Sequence, residues 1–187
     1  MKKYILIAGV NGAGKSTLFH ALDELQGMPR VNMDELVRQF GDGNNRADIF
    51  EAGKLAVKRI KDYFDQGVTF NQETTLCGND ILKNIKKAKA LGYYIELHYV
   101  SVETVDIAKK RVAHRVSVGG HGIPEEDIER RYSETFENLN MILGDCDRIS
   151  FYDNTKEFER FAVIEDGKLV ILIEDVPEWF EKIIYPI

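Results

Sequence analysis

The sequence predicts an α/β fold of three layers, α/β/α, around a mostly parallel sheet of about five strands, with a β-hairpin and a helix at the C-terminal end. Three observations predict it. Residues 4–8, Tyr4-Ile5-Leu6-Ile7-Ala8, are apolar without polar alternation, as in a strand covered on both faces. Short runs of this kind alternate with longer segments of helical period, the pattern of βαβ units with right-handed crossovers. The first run flows into a glycine-rich turn and then a helix.

The elements follow in order. After Ser16 the residues Leu18, Phe19, Ala21, Leu22 and Leu25 have helical spacing, stopped by Gly27 and Pro29. Arg30-Val31-Asn32 is a short second strand. Ile49, Ala52, Leu55, Ala56, Ile60 and Phe64 form the stripe of an amphipathic helix over 46–66. Val68-Thr69-Phe70 reads as the third strand, leading into Asn71-Gln72-Glu73-Thr74-Thr75. Asn79 is placed as an N-cap for a helix with Ile81, Leu82, Ile85 and Ala88 inside and lysines outside. Residues 93–100 are β-branched and aromatic, a fourth strand. A helix over 103–116, a Gly119-Gly120-His121-Gly122 loop and a helix opened by Pro124 come next, then a fifth strand at 149–152. Residues 161–173, interrupted by Asp166-Gly167, carry the hairpin signal.

At 187 residues, 44% hydrophobic and 30% charged, the chain is expected to be one domain over 1–187: a core of 1–154, a lid over 111–131 and a C-terminal hairpin and helix over 160–187. Its net charge of −6 argues against nucleic acid or an anionic membrane as partner. Two cysteines, Cys77 and Cys146, are too few and too far apart for a disulfide framework or a four-ligand zinc site. Met1-Lys2-Lys3 before an apolar run resembles a signal peptide, yet the run soon meets Gly9, Asn11 and Lys15. With no stretch near the ~18 apolar residues of a membrane span, the expectation is a cytoplasmic protein.

Gly9-Val10-Asn11-Gly12-Ala13-Gly14-Lys15-Ser16 matches G-x-x-x-x-G-K-[ST], the phosphate-binding P-loop. Glycines let backbone N–H groups wrap the phosphates, the following helix adds its positive end, Lys15 adds a point charge and Ser16 a hydroxyl for Mg²⁺. ATP and Mg²⁺ are therefore the expected cofactors. An N-K-x-D base-reading segment and an L-S-G-G-Q-like signature are both absent, which disfavours a GTPase or a transporter ATPase and leaves a small kinase.

A kinase needs an acceptor-orienting base, cations for the moving phosphoryl group and a lid. Asp34, just beyond the second strand, is either that base or the cap of a helix starting at Glu35. Glu73 is either an acid that holds Mg²⁺, through water, or a surface carboxylate. Arg111 and Arg115 lie one helical turn apart, and Arg130 and Arg131 follow the glycine loop. The four read as lid cations or as surface partners of Glu125, Glu126 and Glu129; His121 reads as a loop-tip hydrogen bonder.

These residues resemble the zeta-toxin family of P-loop kinases, in particular its short members labelled predicted ABC-type ATPases. The resemblance covers about 4–154: the P-loop, Val31-Asn32-Met33-Asp34, Gln72-Glu73-Thr74, Arg111 to Arg115, Gly119-Gly120-His121 with Pro124, Arg130-Arg131-Tyr132 and Tyr152-Asp153-Asn154. It implies Asp34 as catalytic base, Glu73 as active-site acid, and Lys15 and Ser16 as the nucleotide and Mg²⁺ groups; Lys15 and, from the lid reading, Arg115 and Arg130 are the further catalytic candidates. Gly9, Asn11, Gly12, Ala13, Gly14, Lys15, Ser16, Thr17, Arg111, Arg131 and Asn154 are the implied nucleotide contacts. The family's larger toxins phosphorylate the 3′-hydroxyl of UDP-N-acetylglucosamine, which implies a small hydroxyl acceptor of the UDP-sugar type and an antitoxin protein as partner. A nucleotide switch without acceptor and a polynucleotide or tRNA kinase are the alternatives. The toxins carry an arginine three residues before the lid proline, where this chain has His121, and they are longer.

Overall fold

The computed structural model describes residues 1–41, 45–120 and 122–184. Strand β1 (Lys3–Ala8) leads into helix α1 (Lys15–Ala21), and β2 (Arg30–Val31) into α2 (Met33–Val37). Helix α3 (Arg46–Gln66) precedes β3 (Phe70–Thr74), α4 (Asn79–Ala90) and β4 (Tyr94–Ser101). Then follow α5 (Val105–Ser117), α6 (Glu125–Ile142), β5 (Arg148–Asp153), β6 (Glu159–Glu165), β7 (Lys168–Ile171) and α7 (Glu178–Ile184). The strand order is β2-β3-β1-β4-β5-β6-β7. Strands β1 to β5 are parallel, whereas β6 and β7 are antiparallel. The expected five strands are these parallel ones. The hairpin does not stand apart: it extends the same sheet to seven, turning at Asp166 and Gly167, both in the left-handed region.

Alternate residues of β1 feed two cores. Tyr4, Leu6 and Ala8 pack with Ala52, Ala56, Ile60 and Phe64 of α3, Ile81 and Ile85 of α4, and Trp179 and Phe180 of α7. Ile5 and Ile7 pack on the other face with Leu18 and Phe19 of α1 and Ala108 and Val112 of α5. Helix α6 reaches both, through Ile128 at its start and Leu139 near its end. Each fully buried side chain of this size contributes about 1.5–3 kcal/mol, so the two layers hold the sheet rigid beneath the P-loop.

Several boundaries differ from the sequence reading. Strand β3 begins at Phe70 and runs through the buried Asn71 into the polar Gln72, Glu73 and Thr74, because its C-terminal half faces a cleft rather than a core. Ile49 leaves the α3 stripe and lines that cleft. Gly78 takes the N-cap position of α4, and Asn79 is its first residue. The C-terminal helix has its Trp179 and Phe180 in the main core rather than standing apart from it. Among the described residues no helix is long and apolar enough to cross a membrane.

Candidate active site

The P-loop takes its shape from contacts that leave little choice of residue. Gly9 has φ +142°, and a Cβ there would lie 1.9 Å from the Val100 carbonyl oxygen. Gly14, at φ 103°, is the N-cap of α1. Asn154 Nδ2, just past β5, donates to the Ala13 carbonyl at 2.7 Å. Asn154 thus braces the loop's backbone and does not itself line the cleft.

Lys15 opens α1 and is buried, its Nζ donating to the carbonyls of Gly9 at 3.0 Å and Val10 at 3.1 Å. Burial holds its ammonium below the ordinary 10.5, while Glu73 and Asp34 pull the other way.

Glu73 is the hub of the site. Strand register sets it opposite Ile7, close to where β1 enters the loop. Ser16 Oγ donates to Glu73 Oε1 at 3.1 Å, and Asn32 Nδ2 donates to Oε2 at 2.8 Å. Arg30 Nη2 reaches the same Oε2 at 2.7 Å in an ion pair whose side chains are both about nine-tenths buried. Arg30 also donates from Nε to Glu35 at 2.9 Å and from Nη1 to Asn71 at 3.3 Å, and its guanidinium carbon sits 3.3 Å from the centroid of the Phe19 ring. The hydroxyl of Ser16 and the carboxylate of Glu73 are hard oxygen donors side by side, the ligand type that Mg²⁺ takes, so these residues fit that ion.

Arg30 and Asn32, which hold Glu73, were not singled out by the sequence reading as site residues. Their only signal was spacing: two polar residues flanking Val31 share one side of an extended segment. Asn32 also removes one of the two readings of Asp34. It is Asn32 whose Oδ1 accepts from the Glu35 N–H and caps α2, so Asp34 is not the cap. Asp34 lies exposed in the first turn of α2 and lines the cleft.

All four arginines line the same cleft. Arg131 Nη1 donates to Asn11 Oδ1 of the P-loop at 3.3 Å, and Arg111 Nη2 to the Thr155 carbonyl at 3.3 Å. The buried Nε of Arg115 has no hydrogen-bond partner among the described residues. Arg130 is paired with Asp127 and Glu134, both at 2.8 Å. The expected partners Glu125 and Glu129 bind Lys109 instead, since it stands across from them on α5. His121 lies outside the described residues.

The cleft encloses about 860 Å³. Asn11, Gly12, Gly14, Lys15, Ser16 and Thr17 line it, as do Glu73 and the arginines, with Met33, Val37 and Ile49 as its apolar side. Cys77 lines it too, but burial pushes its thiol up, so it is no thiolate nucleophile at neutral pH.

The family model described as Zeta toxin matches residues 1–162. An uncharacterized protein of Haemophilus influenzae is 34% identical over 130 residues, 70% of this chain and 92% of that protein. Among solved structures, the AvrRxo1-ORF1:-ORF2 complex with ATP matches with a TM-score of 0.74 at 16% identity, over 98% of this chain and 63% of that chain. This chain therefore spans less than two thirds of that protein's length. A structure from the PezAT toxin-antitoxin system of Streptococcus pneumoniae matches at 0.62 and 18% identity, over 98% and 78% of the two chains. A chain of the Pnkp1/Rnl/Hen1 RNA repair complex matches at 0.55 and 19% identity, over 75% and 46%. At such identities the structural likeness shows the fold alone.

Proposed function

The chain belongs to the zeta-toxin family of P-loop kinases, and from that premise we propose that it transfers the γ-phosphate of ATP to a hydroxyl of a small molecule. The observation that carries this reading is the convergence of Lys15, Ser16, Asp34, Glu73 and the lid arginines on one cleft at the P-loop. A protein that only bound nucleotide would need neither the second carboxylate nor so many cations.

In this mechanism the loop amides from Gly9 to Gly14 and the Lys15 ammonium hold the phosphates. Lys15 leaves its own loop carbonyls for phosphate oxygens, which satisfy the buried charge far better. Ser16 and Glu73, the latter directly or through water, would hold Mg²⁺, which would neutralise phosphate charge. Arg30 and Asn32 keep the Glu73 carboxylate turned toward Ser16. Asp34 accepts the proton of the acceptor hydroxyl as its oxygen bonds to the γ-phosphorus and the bond from that phosphorus to ADP breaks. Arg111, Arg115 and Arg131 stabilise the charge on the transferring group. Arg130 joins them where lid closure frees it from Asp127 and Glu134.

UDP-N-acetylglucosamine, which the family implies, is the first acceptor to test. The PezAT likeness supports an antitoxin protein as partner and the AvrRxo1 complex supports ATP as donor. The proposed setting is the cytoplasm, consistent with two free cysteines. The RNA-repair neighbour favours a second reading, a polynucleotide hydroxyl as acceptor, against which the net charge of −6 stands. The test is incubation with ATP and UDP-sugars, nucleosides or short RNAs, with the product identified by mass. A phosphorylated small molecule supports the proposal, and ADP without any phosphorylated acceptor contradicts it.

A further inference from the structure

On the face of the sheet covered by α1, three donor side chains meet that have no part in phosphoryl transfer. Glu96 and His98 are two apart on β4 and project from the same face, 6% and 4% exposed. The imidazole Nε2 faces Glu96 Oε1 at 3.5 Å and has no hydrogen-bond partner among the described residues. Its Nδ1 meets the Tyr152 hydroxyl at 3.2 Å, and Glu96 Oε2 is held by Lys3 Nζ at 3.0 Å. The carboxylate of the exposed Glu24, in the short turn Asp23–Leu25, completes a trio of donor atoms that all lie within 4.8 Å of one another.

We propose that Glu24, Glu96 and His98 form a binding site for a first-row divalent transition-metal ion such as Zn²⁺. The spacing fits: ligands about 2.0–2.1 Å from a tetrahedral ion stand about 3.3–3.4 Å from each other, and Nε2 and Oε1 already span one such edge. That pair makes no good hydrogen bond. Where Nδ1–H is donated to the Tyr152 oxygen, the Nε2 lone pair faces a carboxylate oxygen, an arrangement that a cation between them would stabilise.

The surroundings also match a metal site's outer partners, which fix the second nitrogen of a ligating imidazole and the second oxygen of a ligating carboxylate. Tyr152 does the first and Lys3 the second, while the Lys3 charge offsets one of the two carboxylates. Glu24, exposed on its turn, closes onto the ion last and leaves a remaining position to water. One imidazole with two carboxylates suits a zinc-type ion better than Mg²⁺, which prefers oxygen alone.

The test is calorimetric titration of the Ser16→Ala protein with Zn²⁺ and no nucleotide, so that the P-loop does not contribute. One ion per chain is expected, with binding lost in an added His98→Asn and weakened at least tenfold in an added Glu24→Gln. Because Glu24 is exposed, its variant folds whatever the buried pair contributes. Co²⁺ in place of Zn²⁺ should give the visible bands of tetrahedral cobalt, absent in His98→Asn. If Zn²⁺ does not bind, or binds equally to all three proteins, the trio is a buried imidazolium–carboxylate pair beside a surface acid and the proposal is wrong.

Discussion

Arg30 shows how much of the site rests on one side chain: it ties Glu73 of β3 to Glu35 of α2, the helix that carries Asp34, and lies against Phe19 of α1. Arg30→Met leaves a nearly buried carboxylate without its cation, and thermal or urea unfolding should register a loss of about 3 kcal/mol. Arg30→Lys keeps the charge without the fork, so it should restore stability in part and turnover less. Lys15 and Asp34 separate binding from chemistry. Lys15→Ala should weaken ATP binding and cut turnover about 10²–10³-fold, whereas Asp34→Asn should cut turnover by about 10²–10⁴-fold with ATP affinity unchanged. Equilibrium dialysis beside steady-state kinetics checks both. Burial already lowers the Lys15 pKa below 10.5. The free protein therefore gives up that proton at a lower pH than an exposed lysine, whereas phosphate favours the ammonium. ATP affinity should fall as pH rises past the lowered pKa of the free protein's Lys15, and Lys15→Ala should flatten that limb.

At the scale of elements, the P-loop was legible because its chemistry is local: the glycines, Lys15 and Ser16 act within one turn of chain. Gly9→Ala is expected to prevent folding or cost several kcal/mol, since the clash is with backbone at Val100 rather than with a side chain that moves. Circular dichroism with thermal unfolding decides it. The long helices were legible from their stripes, with α3 running over 46–66 as its period implies. The partners of Glu73 were not legible. Arg30 and Asn32 meet it only because β2 pairs with β3 at Arg30 with Asn71 and Val31 with Gln72, a register that a two-residue strand does not announce. The same blindness left Asp34 between base and cap, since Asn and Asp cap helices about equally well and only geometry chooses. The arginines' partners depended likewise on where α5 lies against α6, which places Lys109 beside Glu125 and Glu129.

Across the whole molecule, the C-terminal segment is part of the fold's support although the family match ends at residue 162. Trp179 lies among Tyr99, Phe136 and Phe161, and its Nε1 donates to Asp153 at 2.8 Å. Trp179→Ala should cost about 3–5 kcal/mol in an unfolding titration while leaving ATP affinity little changed. That support holds the strand ends in place, so that α2, β3, α5 and α6 all contribute residues to the cleft at the P-loop. In the proposed function this cleft moves a phosphoryl group onto an acceptor, and Asp34 takes the acceptor's proton. The most direct test incubates the wild-type protein and Asp34→Asn with ATP, Mg²⁺ and the acceptor panel, and follows ADP together with the mass of any phosphorylated product. The wild type should yield ADP and a phosphorylated small molecule, and Asp34→Asn about 10²–10⁴-fold less of both despite undiminished ATP binding. Full turnover by Asp34→Asn would contradict it.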